Sequence, residues 1–258
     1  MTDAKGMAAA EHARGFFDLQ LRYADVFAVR AGMPLDEAIT WQTNLHRPFG
    51  YGNLSKQAPD ATFLALVKDA AALPAPARLD RLVSAYAHLP YDPWPDDRVR
   101  FGLHFACEAP TREGDVRIHF VNRAPMPEIG PLDPSQQDEC RSDLTAMVRH
   151  IASAWPNAKA IIGGSWLYNT EAYRRLFPPA YAASRQPVAG PRATHGLSTW
   201  GQFLDFRGRV KPSIAEAFHR NLETLDVDRP WLSFPYQVLT VAAPFEAFRE
   251  EYGVGPQG

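Results

Sequence analysis

The sequence predicts a mixed α/β chain of the α+β kind, with a helical N-terminal domain over residues 1–90 and a second domain over residues 98–258. The second domain is expected to hold a mostly antiparallel sheet with flanking helices. Three observations carry this. Apolar residues recur at helical spacing as far as His88, whereas from Val99 they alternate with a period of two. Between the two regimes, Pro90 to Asp97 (PYDPWPDD) is a proline-rich connector of the kind that separates domains. Beyond it, strand-like and helix-like segments take turns along the chain.

Taken in order, Ala10–Ala31 reads as a helix, with Phe16, Leu19, Tyr23 and Phe27 on one face and Gly32 as its stop. Pro34 opens a second helix carrying Leu35, Ala38, Ile39 and Leu45, broken by His46–Gly52 (HRPFGYG). Third and fourth helices are predicted over 60–72 and 76–88. Val99–Cys107 and Val116–Asn122 read as two strands of a hairpin closed around EAPTREGD. Asp133 as N-cap and Pro134 at the first helical position start a helix running to Ala154. A short buried strand at 158–163, a helix at 170–177, a strand at 197–205, a helix at 212–225 and a strand at 236–242 complete the pattern.

Composition narrows the function classes. Of 258 residues, 46% are hydrophobic and 22% charged, ordinary values for a folded chain. A formal net charge of −2 gives no global field favouring nucleic acid or an anionic membrane. Two cysteines, Cys107 and Cys140, make neither a disulfide framework nor a zinc knuckle. No apolar run is long enough to span a bilayer and Met1–Arg14 lacks a signal-peptide pattern, so the expected setting is cytoplasmic, with a small molecule rather than a membrane or nucleic acid as partner.

His104 and His119 stand out as candidate chemistry. Symmetric closure of the hairpin puts Cys107 opposite Val116 and His104 opposite His119, away from the Phe/Leu/Ile stripe. Three readings follow: a half-exposed sheet face, a general base that is neutral near pH 7, or two ligands of a metal. Tyr173 reads as helix packing beside Ala172 and Leu176, Asn169 as a helix cap, and Ser165 in GGSW fails the GxSxG spacing of a nucleophile elbow. Arg100, Arg117 and Arg123 lie near the hairpin face, as a solvated surface or as contacts for an anionic substrate.

The order strand, strand, helix, strand, helix, strand, helix, strand, with a hairpin feeding a central crossover, resembles a GNAT-type acyltransferase domain. Segment Ile162–Tyr181 (IGGSWLYNTEAYRRLFPPAY) is similar to that superfamily's strand–helix unit at Asn169, Ala172, Tyr173 and Phe177. The pieces IHFVNRA…GPLDPS and GGSWLYN resemble a bacterial variant in which a helical region precedes the GNAT-like domain. The resemblance covers residues 99–241. It implies an N-acyltransferase that moves an acyl group from acyl-CoA to a small amine. His119 would then be the general base, His104 its neighbour and Tyr173 the acid for the leaving thiolate, with Asn169 and Ser135 against the coenzyme and no metal. One departure favours an alternative, a GNAT-shaped binding protein without catalysis. The loop Ala124–Pro131 has one glycine, three prolines that offer no N–H, and Glu128, where the family has a glycine-rich phosphate loop. A metalloenzyme built on the histidine pair is the third expectation.

Overall fold

The computed structural model describes residues 4–51, 54, 58–89, 98–121, 128–190 and 193–255. The connector at 90–97 and the loop residues 122–127, with Arg123 among them, lie outside the described residues.

Four helices come first: α1 (Ala4–Ala31), α2 (Leu35–Gln42), α3 (Ala61–Ala71) and α4 (Ala75–Ala87). Their boundaries follow local chemistry. Gly32 ends α1 in a left-handed conformation at φ +63°. Pro34 precedes α2, and the Asp60 carboxylate caps α3 by accepting from the Thr62 and Phe63 amides. α1 begins earlier than its apolar stripe suggests.

The sheet follows: β1 (Val99–Phe101), β2 (Phe105–Cys107), β3 (Asp115–Phe120), the crossover helix α5 (Gln137–Ala154), β4 (Ala160–Ser165), α6 (Glu171–Arg174), α7 (Pro179–Ala183) and β5 (Gln186–Pro187). The chain then forms α8 (Leu197–Gly201) and α9 (Pro212–Leu222) and ends with β6 (Leu239–Pro244) and α10 (Phe245–Glu251). The fold is α+β, with a six-stranded, mostly antiparallel open sheet in the order β1-β2-β3-β4-β6-β5. β3 and β4, joined through α5, are its parallel pair.

The chain divides into two compact units, Met1–Pro95 with Ala189–Gln237, and Asp96–Val188 with Val238–Gly258. The expected boundary near Pro90–Asp97 has its counterpart here, but the second part is not contiguous: residues 189–237 belong with the N-terminal helices. The cause is aromatic packing. Trp200, Phe203, Phe218 and Phe234 are buried in one core with Phe17, Tyr23, Ile39 and Phe63. The segment expected as a strand at 197–205 is, for the same reason, the short helix α8 and the turn after it. Trp200 and Phe203, three residues apart, enter that core together, while the Trp200 indole N–H donates to Thr194 O (2.6 Å).

In the second unit Phe105, Cys107, Val116, Ile118, Ile161, Val241 and Ala243 form the buried face of the sheet, packed with Cys140, Leu144, Met147, Val148 and Ile151 of α5 and with α10. Alternate residues Arg117, His119, Ile162, Gly164, Thr240 and Ala242 are partly or fully exposed on the other face.

Candidate functional site

The stretch expected as one strand over 99–107 is two strands with a tight turn between them. Gly102 sits at φ +53°, and an added Cβ there would overlap the Asp143 carboxylate. Asp143 Oδ2, from α5, accepts from the backbone amides of Leu103 and His104, both at 3.1 Å, and contacts His104 Nδ1 at 3.0 Å. A carboxylate only accepts, so Nδ1 carries the proton. His104 is 1% exposed, with its ring stacked on Phe120. It is the keystone of the turn.

The hairpin register also differs from symmetric closure. Cys107 pairs with Ile118, and His119 with Ala106. Pro110 has no N–H to extend the ladder, and the reversal is made by Thr111–Gly114, with Gly114 at φ +93°. The pairing shifts by two residues, and His104 and His119 are not partners. His104 lies on the α5 side with Phe120, whereas His119, between Ile118 and Phe120 in the strand, points to the opposite face. The shared metal site loses its two ligands. Among the described residues no group of three or more His, Cys, Asp or Glu side chains could hold an ion.

His119 has a different partner, one the sequence reading missed: its Nε2 lies 2.8 Å from Glu108 Oε1. This contact fixes the proton on Nε2 and leaves the Nδ1 lone pair as acceptor. Burial, and then the positive charge of Arg98, push the His119 pKa below its usual value, which Glu108 partly offsets. The imidazole is therefore neutral at pH 7. Arg117, two residues away on the same face, has no hydrogen bond or ion pair to its guanidinium among the described residues; Nη1 lies 3.8 Å from where a Gly164 Cβ would be.

Beside this face the parallel pair comes apart. β3 and β4 are paired only over Asp115–Arg117 and Ala160–Ile162. Ile118–Phe120 then remains paired to β2, and Gly163–Ser165 to β6. The facing edges of β3 and β4 thus carry no ladder over their last three residues, at the end where β3 runs out toward α5.

The remaining predicted residues take structural positions. Tyr173 is 2% exposed and packs against Phe120, Tyr168 and Phe177. Burial raises its pKa well above the usual phenol value, and contact with the Tyr168 hydroxyl raises it further. Tyr168 in turn bonds Tyr181 (2.9 Å). The Tyr168 and Tyr181 hydroxyls crowd Gly163, where an added Cβ would overlap both. The Asn169 side-chain amide donates to Trp166 O (2.7 Å), closing the turn after β4. Ser135 gives both its N–H (2.9 Å) and its hydroxyl (2.7 Å) to Asp133. An open hollow of about 510 Å³ beside the start of α5 is lined by Gln137, Glu171, Arg174, Arg175 and Glu251, among others.

No described helix is long and apolar enough to cross a membrane. No protein-family model, curated protein or solved structure matches the chain.

Proposed function

We propose that the second unit is an acyl-CoA-dependent N-acyltransferase acting on a small amine, in keeping with the GNAT resemblance. The observation that carries this reading is the divergence of β3 and β4 after three paired residues. Two facing strand edges with unused amides and carbonyls suit an extended chain bearing amide groups, because such a chain pairs with them as an added strand does. The pantetheine arm of coenzyme A is a chain of that kind. In the hollow beside α5, Arg174 supplies positive charge for its phosphates, while Arg175 is paired with Glu171.

When bound, acyl-CoA supplies a thioester carbonyl. His119, its Nε2–H held by Glu108, takes a proton on Nδ1 from the incoming amine as nitrogen attacks that carbon. The C–N bond forms, the C–S bond breaks with its electron pair leaving on sulfur, and the thiolate recovers a proton from the imidazolium through solvent. A phenol pushed far above 10 is a poor acid for a thiolate, so in this reading Tyr173 packs the core.

One observation favours the second reading, a binding protein of the same shape without catalysis. The Asp133 carboxylate stands at the entry to α5 and uses the donors of Ser135, where a diphosphate would want them free. Calorimetry with acetyl-CoA and longer acyl-CoAs, followed by thiol release with a panel of amines, separates the two. Saturable binding with thiol release is expected, and His119→Ala should lower the rate by about 10²–10⁴-fold without unfolding the chain. Binding without turnover selects the second reading, and no binding at about 1 mM overturns both.

A further inference from the structure

A second, unrelated cluster lies wholly in the first unit. Gln20 and Tyr23 sit three residues apart on α1, and Asn44 and His46 follow the end of α2. Gln20 Oε1 accepts from the Asn44 backbone amide (2.9 Å), tying the two segments together. All four side chains are fully buried. Yet Gln20 Nε2, the Tyr23 hydroxyl, both polar atoms of the Asn44 amide and both ring nitrogens of His46 have no hydrogen-bond partner among the described residues. Folded proteins leave few buried polar atoms unpaired, and six on four residues of two adjoining segments is a concentration that calls for an explanation.

We infer that this cluster is a binding site for a small uncharged molecule that presents a donor beside an acceptor, of the amide or lactam class. The orphaned groups dictate that chemistry. Asn44 offers a donor and an acceptor on one planar edge, a neutral imidazole offers one of each, and Gln20 adds a donor. None carries a charge to meet an ion. Burial, and then the positive charge of Arg47 and His195, lowers the His46 pKa to about 3, and burial pushes Tyr23 far up, so both stay neutral and the cluster offers no anion-seeking or cation-seeking group of its own. Aromatic rings flank them: Trp200 lies 5.5 Å from Tyr23, and Phe63 lies 6.3 Å from His46, centroid to centroid. A ligand here would satisfy groups that packing alone leaves stranded, and the inference does not rest on acyl transfer in the other unit.

The test uses the full chain with nicotinamide and uracil as probes, read by calorimetry and thermal shift. Saturable binding of at least one is expected at or below about 10 mM, weakened about tenfold or more in Asn44→Leu and His46→Leu. No binding of either probe to the wild-type chain, as for a site filled by water alone, overturns the inference. So does binding that both variants retain. Should the variants fail to fold, the His46 imidazole NMR signals of the wild-type chain decide: they shift with the probe if the inference holds and stay fixed if it fails.

Discussion

Glu108 decides how His119 behaves. Burial and Arg98 lower the pKa of the imidazole, while Glu108 raises it, through charge and through the hydrogen bond. The Glu108→Gln variant removes the raising influence, so the acid limb of the pH–rate profile should move to lower pH. The rate on the plateau should also fall, because the ring loses its fixed tautomer. A limb that moves up or stays in place would separate His119 from the chemistry. Sequence reading picked out His119 but paired it wrongly. Glu108 is eleven residues away and meets it only because the turn closes at Thr111–Gly114 and sets the register. The error over His104 has a longer reach: its partner, Asp143, is 39 residues on, and no local pattern announces that a helix carboxylate will fold a strand back at Gly102.

Elements with local start and stop signals were legible from sequence alone. Pro34, Gly32 and the Asp133–Pro134 pair each act on their own backbone: α1 ends before Gly32, α2 begins after Pro34, and a helical turn opening at Pro134 leads into α5. Segment 197–205 reads wrongly as a strand, because its apolar residues do not alternate: Trp200 and Phe203 stand three apart, and burial of Trp200 among Tyr23, Phe218 and Phe234 goes with the short helix α8. The divergence of β3 from β4 was not legible, since it depends on what fills the space behind β4. Gly163 leaves room there for the Tyr168 and Tyr181 hydroxyls. Gly163→Ala should therefore displace that pair and destabilise the chain by about 1–3 kcal/mol, measured by urea unfolding. The same variant should lose acyl-CoA affinity through altered strand separation. Unchanged stability would show that the tyrosines move aside freely.

At the scale of the whole molecule the two units carry different vulnerabilities. In the first, His46 is buried and neutral, with a folded pKa near 3 against about 6.5 unfolded. Above pH 6.5 both states are neutral and the residue has no pH dependence. As pH falls below 6.5 the unfolded chain takes up a proton that the folded chain refuses, so stability drops progressively down to about pH 3. Denaturant midpoints measured from pH 7 to pH 4 should fall, and His46→Leu should flatten that fall. An equally steep fall in the variant would assign the acid sensitivity to other groups. The return of residues 189–237 to the first unit was invisible in sequence because periodicity identifies elements and not their neighbours; only the shared aromatic core explains it.

In the proposed function an acyl-CoA chain lies between the diverging ends of β3 and β4. Backbone amide hydrogen exchange, residue by residue, with and without saturating acetyl-CoA, addresses it most directly. New protection is expected within Ile118–Phe120 and Gly163–Ser165, with little change in the N-terminal helices. Saturation without protection at those two strand ends, or with protection confined to other elements, would contradict it.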